Sequence, residues 1–209
     1  NDPAETYLNN PIIPLKEQAR SPFILRDEVL QIRTPKSAYV IIEDASGKQS
    51  GYIENGLINQ IPGVAPMIER NGSTGPPIGY HLPNEIYTIN MNQFTKEEIA
   101  AYMFTGNKSY VYERKDADIS HNDRLVFSDG MMVSNTDDTE KLVKTTLVIL
   151  EEDHEKLIRL KSLPVSSGDS VRLYTADDRH MELLNYGGSK SYELELNSIS
   201  SSGYKKFVH

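Results

Sequence analysis

The sequence predicts an all-β protein, and three of its features lead to that fold class. Short apolar segments recur every ~8 to 15 residues along the chain. Within most of these segments apolar and polar residues alternate, which is typical of strands with one buried face. The intervening segments are rich in Gly, Asn, Asp and Pro, residues that favour turns, and helical periodicity is almost absent.

The first 28 residues are predicted to form a Pro-rich lead-in rather than part of a packed module. They contain Pro3, Pro11, Pro14 and Pro22, and proline interrupts both helices and sheet ladders.

Regular alternation begins at residue 29. Residues 29–34 place Leu30 and Ile32 on one face, and residues 38–43 contain a β-branched apolar run, which favours a buried strand. Residues 44–47 read Asp-Ala-Ser-Gly, a composition that predicts a turn. We therefore expect a hairpin that continues into a strand at 48–53.

The next segment combines a long loop with further strands. Residues 54–84 contain repeated Gly and Pro and are predicted to be loop with one short edge strand. A strand is expected at 86–91. Residues 96–103 have a helical pattern with Thr95 and Glu98 as a capping box, but we favour a hairpin over 101–113 that follows a short helical turn.

Seven more strands are predicted in the second half, at 125–127, 131–134, 141–151, 156–160, 170–175, 180–185 and 191–198. The last of these has the cleanest alternation: Tyr192, Leu194 and Leu196 on one face, Glu193, Glu195 and Asn197 on the other. This pattern predicts a buried apolar face and a solvated polar face.

Length and strand number together predict the domain organisation. The 209 residues are enough for one large domain or two small ones. We predict two tandem immunoglobulin-like β-sandwich modules, at 29–113 and 120–209. The abrupt end at His209 suggests a truncated final strand in the second module.

Composition and motifs argue against several functional classes. The formal net charge of −8 offers no basic surface for nucleic acid or anionic lipid, and no apolar run is long enough for membrane insertion. There is no Cys, hence no disulfide or thiol nucleophile. Nucleophile-elbow, phosphate-loop and zinc-protease motifs are also missing. We expect no enzyme activity and no cofactor; the alternative is a hydrolase that uses loop carboxylates.

One pattern resembles a known family. An Asp-x-x-Gly-x-x-x-Gly-Tyr turn is followed by Asn-x-Ile-Pro-Gly, formed by Asp44, Gly47, Gly51, Tyr52, Asn59, Ile61, Pro62 and Gly63. It resembles the C-terminal immunoglobulin-like accessory region of large bacterial exported proteins. A second segment, residues 191–197 followed by Phe-Val-His at 207–209, resembles the end of the same region. Residues 85–91 depart from the family pattern, because the leading Gly is missing.

This resemblance implies a non-catalytic module located outside the cell or on its surface. The implied partners are a surface glycan, a protein, or a catalytic domain of the same parent chain, which the module would bind or position as a spacer. The alternative is an assembly or appendage subunit whose copies associate through exposed strand edges.

Two acidic loops are candidates for metal binding. Asp116, Asp118 and Asp123 offer carboxylate oxygens, which Ca²⁺ prefers. A second loop contains Asn135, Asp137, Asp138 and Glu140, and its charge would add to the first loop if the fold brought both together. The alternative is that both loops are solvated and bind no metal.

Tyrosines form the second candidate site. Tyr110 and Tyr112 are two residues apart in a predicted strand and therefore share a face. Exposed on that face, they would form a stacking strip for a sugar ring or a protein partner. The alternative is that tyrosines fill core positions in a chain without Trp.

Overall fold

The computed structural model describes residues 29–68, 75–151, 154–175, 181–200 and 203–208. In these ranges it contains seventeen strands and no helix, which confirms the all-β class. The predicted lead-in at 1–28 lies outside the described residues.

The strands are, in chain order, β1 (Val29–Arg33), β2 (Tyr39–Asp44), β3 (Gln49–Ile53), β4 (Gly56–Asn59), β5 (Ala65–Met67), β6 (Gly79–Pro83), β7 (Tyr87–Asn92), β8 (Ile99–Thr105), β9 (Lys108–Arg114), β10 (Asn122–Phe127), β11 (Gly130–Asn135), β12 (Lys141–Leu150), β13 (His154–Val165), β14 (Ser170–Thr175), β15 (Met181–Tyr186), β16 (Glu193–Ser200) and β17 (Gly203–Val208).

These strands form two antiparallel sheets that face each other as a β-sandwich. The nine-stranded sheet has the order β17-β16-β13-β12-β9-β8-β1-β6-β5, and the eight-stranded sheet has the order β15-β14-β11-β10-β7-β2-β3-β4. Buried side chains from both sheets form one apolar cluster. Polar contacts also cross between the sheets: Asn135 Nδ2 on β11 donates to the carbonyl of Val165 on β13 at 2.7 Å.

Both sheets run across the boundary predicted between the two modules. In the eight-stranded sheet β7 pairs with β10, and in the nine-stranded sheet β9 pairs with β12. The apolar cluster likewise extends from Leu30 to Leu173. Any two units in this chain therefore share both sheets and one core. The immunoglobulin-like identity and the two-module division stay predictions.

The hairpin predicted around residues 44–47 is present between β2 and β3, and its residues have structural roles. Asp44 Oδ1 accepts hydrogen bonds from the backbone N–H groups of Ser46 and Lys48, at 2.8 and 2.9 Å. Gly51 has a φ of 152°, and a Cβ there would lie 2.0 Å from the carbonyl oxygen of Val40. Only glycine fits this close approach.

Residues 54–84 contain three strands, β4, β5 and β6, where the sequence predicts one. The glycine at the start of β6 explains why that strand was not predicted. A Cβ on Gly79 would lie 2.1 Å from the carbonyl oxygen of Ile32, so this glycine marks close strand packing rather than a loop. The predicted helical turn near residue 96 is also wrong: described residues 93–98 are non-helical, and β8 follows.

β13 is longer than predicted. A bulge within it lets the strand continue while its apolar side chains stay on the inner face. Val143 on β12 is opposite Leu163, whereas Thr145 is opposite Leu160. The extra residue on β13 is accommodated at Ser162, whose φ is 53°. Leu160 and Leu163 are therefore both buried, although they are three positions apart and regular alternation would place them on opposite faces.

Candidate functional site

The three aspartates of the predicted calcium site do not converge on one point. Asp123 and Asp116 bind the same guanidinium: Arg114 Nη1 lies 2.6 Å from Asp123 Oδ1, and Arg114 Nε lies 2.7 Å from Asp116 Oδ1. Asp118 instead accepts hydrogen bonds from the N–H and hydroxyl of Ser120, at 2.9 and 2.8 Å. These bonds lower the pKa of Asp118.

Lys141 connects the two acidic loops. Its Nζ lies 3.1 Å from Asp123 Oδ1 in the first loop and 2.9 Å from Asp137 Oδ2 in the second, and it also donates to the carbonyl of Asn122. Burial alone would raise the pKa of Asp137, but the hydrogen bond from Lys141 lowers it overall. The loops therefore meet, but around a protein ammonium group.

We call Arg114, Asp123, Asp137 and Lys141 the junction cluster. The side chains of Arg114, Asp123 and Lys141 are almost completely buried. Burying a charge in this way is costly unless it is paired and hydrogen-bonded. Here β9 and β12 bring the two cations from the nine-stranded sheet, and β10 brings Asp123 from the eight-stranded sheet. The cluster therefore ties the two sheets together.

The calcium hypothesis finds no support in these positions. Within the described ranges, no group of three or more His, Asp or Glu side chains is arranged to hold a metal ion. Two other members of the second loop, Asn135 and Glu140, have protein partners as well. Asn135 Nδ2 donates to Thr139 O at 2.7 Å, and Glu140 accepts from Ser166 Oγ at 3.0 Å.

Tyr110 and Tyr112 share a face as predicted, but it is the inner face of the sandwich. Both side chains are buried in the core. Burial raises the pKa of Tyr112 well above its usual value, and so does the nearby Asp123, which accepts a hydrogen bond from its hydroxyl at 2.9 Å. The prediction that these rings form a surface stacking strip is therefore wrong, because the strand turns them inward.

A second feature is an apolar row that crosses the nine-stranded sheet. Its members are directly opposite one another on successive strands and so share the inner face. In order they are Tyr80, Ile32, Met103, Tyr110, Leu147, Ile158, Leu196 and Phe207. The first five are at most 1% exposed, whereas Leu196 is 37% and Phe207 is 62% exposed.

The inner face is therefore uncovered where the nine-stranded sheet ends. The margin of the core is marked by two partly buried residues of this sheet, Leu194 and Ile158. On the opposite sheet it is marked by Met181 and Leu183 of β15. Beyond them lie Leu196 and the whole of β17, whose six residues are all exposed. We call this region, β15 to β17, the open end.

The outer face of the open end is polar and tightly paired. Glu195 contacts Lys161 at 2.7 Å, Arg159 at 3.2 Å and Lys206 at 3.4 Å. Hydrogen bonds from Lys161 and Asn197 hold the pKa of Glu195 at about 2. Residues 191–198 thus have an apolar and a polar face as predicted, but the exposure of Glu195 and Leu196 is the opposite of what the pattern predicts. Glu195 is only 4% exposed, because three cations cover it, while Leu196 faces an uncovered surface.

A depression of about 720 Å³ lies over residues of β8, β9, β12 and β13. Its charged side chains form pairs: Lys144 lies 2.6 Å from Glu113, and Lys161 lies 2.8 Å from Glu193.

No described segment is a helix long and apolar enough to cross a membrane. Comparison with known proteins yields no match: no family model, no curated protein and no solved structure is similar to this chain at a significant level.

Proposed function

We propose that this chain is a non-catalytic accessory module of an exported bacterial protein, and that it binds another polypeptide through the open end. The observation that carries the proposal is the apolar row. Its residues are sealed in the core over five strands and then continue into solvent at Leu196 and Phe207. A contiguous exposed apolar surface is typical of an interaction site.

The pairing of the buried charges supports a non-catalytic role. Catalytic acids and bases need perturbed, available carboxyl or imidazole groups. Asp123 and Glu195 are instead each surrounded by protein cations. In addition, His121 Nδ1 accepts a hydrogen bond from Arg114, since a guanidinium nitrogen can only donate. This imidazole nitrogen is therefore already bound within the protein.

A protein partner is favoured over a glycan. The tyrosines predicted to stack on a sugar are in the core, and the exposed apolar residues of β17 lie beside an unpaired strand edge. The bacterial exported context comes from the resemblance of the pattern at 44–63, whose members lie in the β2–β3 turn, in β3, at the end of β4 and in the segment that follows β4.

The experiment compares Leu196→Asp and Phe207→Asp with a control, Leu57→Asp, in which a similarly exposed leucine on β4 is changed. We expect both open-end variants to lose most of the binding of an apolar fluorescent dye and to unfold within about 4 °C of the parent chain. The control should keep its dye binding. A fall of about 10 °C or more in the unfolding temperature would assign these residues to the chain's own core and overturn the proposal.

A second candidate function is an assembly subunit whose copies associate through strand edges. The observation that favours it is β17, which pairs with β16 alone among the described strands. Light scattering separates the two functions. A stable oligomer that Phe207→Asp dissociates would favour the assembly subunit, and a monomer would favour the accessory module.

A further inference from the structure

The outer edge of β17 has the main-chain features of a docking site for a strand. β17 ends the nine-stranded sheet, and its residues pair with β16 on one side only within the described part of the chain. An edge of this kind presents unpaired N–H and C=O groups to which an extended segment can add.

The side chains on β17 restrict which segment can add. Lys205 and Lys206 occupy the middle of the strand, between Tyr204 and Phe207. A second copy that paired antiparallel about this centre would place lysine against lysine, and like charges directly opposite are destabilising. The lysines therefore disfavour self-pairing, which is a common protection of edge strands.

The same lysines lack an acidic cross-strand neighbour on the paired side. Lys205 is opposite Ser198 and Lys206 is opposite Asn197. The only carboxylate described near Lys206 is that of Glu195, at 3.4 Å, which Lys161 and Arg159 approach more closely. β17 itself therefore carries two positive charges, in a chain whose net charge is −8. The two glutamates of the neighbouring β16 are already paired with Lys161 and Arg159 of β13.

We infer that β17 receives an extended acidic strand from another polypeptide, with acidic side chains opposite Lys205 and Lys206 and an apolar side chain that covers Phe207. Main-chain hydrogen bonds supply the affinity in such a complex, and the charges select the partner. This inference rests on the proposed function, since it names the kind of partner that the open end binds.

The probe is a fluorescein-labelled hexapeptide, Thr-Val-Glu-Glu-Val-Thr, whose binding is followed by fluorescence anisotropy. It is compared with a peptide in which both Glu are replaced by Lys, and with a copy whose alternate backbone amides are N-methylated. We expect the acidic peptide to bind at least ~10-fold more tightly than either comparison peptide. The overall negative charge of the chain opposes this preference, so a preference for the acidic peptide requires a local basic surface.

The decisive variant is Lys205→Glu combined with Lys206→Glu, which should reverse the preference and bind the Lys-containing peptide. The control is Lys115→Glu, at a largely exposed lysine of the β9–β10 loop, which should keep the preference for the acidic peptide. Circular dichroism and thermal unfolding establish that each variant is folded.

The possible outcomes separate the two proposals. Equal binding of acidic and basic peptides, or an unchanged preference in the double variant, would overturn the acidic-strand inference. If no peptide binds but Phe207→Asp still removes dye binding without lowering the unfolding temperature, the inference is wrong and the open-end function stands. If the chain instead forms a dimer that Phe207→Asp dissociates, the occupant of the open end is a second copy, and the inference is again wrong.

Discussion

Leu147 and Leu196 occupy the same row of the same sheet, yet one is fully buried and the other is 37% exposed. Only Ile158 of β13 separates them. The difference comes from the opposite layer: residues of the eight-stranded sheet cover the row as far as Leu147 but not at β16 and β17. Whether an apolar face belongs to the core or to an interface therefore depends on the facing sheet, and the face's own sequence does not decide it.

The junction cluster extends this comparison to charged residues. Asp123 is enclosed between both sheets, whereas Glu195 is covered only by cations on the outer face of one sheet. Loss of a partner in the enclosed cluster leaves a charge that water cannot reach. On the outer face, solvent screening reduces the free-energy cost of the same loss.

The largest effect is therefore expected at the junction. Asp123→Asn should lower the free energy of unfolding by about 3–5 kcal/mol, because two buried cations, Arg114 and Lys141, lose the buried carboxylate that they share. Urea unfolding measures the loss. Glu113→Gln is the control: it removes the half-buried partner of Lys144 and should cost less than about 1 kcal/mol. Equal costs at the two positions would refute the distinction between an enclosed and an outer ion pair.

The second effect tests the apolar row with one substitution at two positions. Leu147→Ala should cost about 2–5 kcal/mol, because it leaves a cavity in the core. Leu196→Ala should cost less than about 1 kcal/mol, because the side chain contacts solvent on its uncovered side. Urea unfolding measures the free energy of unfolding of both variants. A loss at Leu196 as large as that at Leu147 would contradict an open end.

The third effect is a pH dependence that arises from Glu195. Its pKa of about 2 in the folded chain lies below its usual value of 4.5. The resulting stability is fully present above pH ~4.5 and is lost as the pH falls towards 2, on the order of 1–3 kcal/mol. Unfolding curves of the parent chain and Glu195→Gln should therefore converge over this interval. Curves that stay parallel from pH 6 to pH 2 would show that Glu195 does not contribute.

The smallest effect is expected from calcium. Asp116 and Asp123 already bind Arg114, and Lys141 occupies the space between the two acidic loops. The unfolding temperature in about 2 mM CaCl₂ should therefore equal that in EDTA. A rise of several degrees would reveal a bound ion and restore the calcium site, since a ligand at 100 times its Kd adds about 2.7 kcal/mol.

Local patterns predicted much of the strand content, because alternation and turn residues act over a few positions. The β2–β3 and β8–β9 hairpins follow directly from residues 44–47 and from the Gly-Asn turn at 106–107. The strands of residues 54–84 were missed for a related reason. Gly79 looks like a loop residue until the backbone that approaches it, at Ile32, is known.

The candidate sites depend on contacts between distant strands, which alternation cannot supply. The sequence does contain one neglected indication of the junction cluster. Arg114 follows Tyr110 and Tyr112 at two-residue spacing, as Lys141 precedes Val143, so both cations lie on the inner face. That they meet Asp123 there is a consequence of the pairing of β9 with β12 and of the sheet that faces them.

The pairing of strands across the middle of the chain has a consequence during synthesis. When β7 and β9 leave the ribosome, their partners β10 and β12 are still unmade, so each strand carries an open edge. Lys141 comes 27 residues after Arg114, which corresponds to about 1–5 s at ordinary elongation rates. Until β10 is made, in the first half of that interval, the edges of β7 and β9 are both unpaired. The acidic residues at 116–123 emerge next, and charged residues that flank apolar strands oppose aggregation.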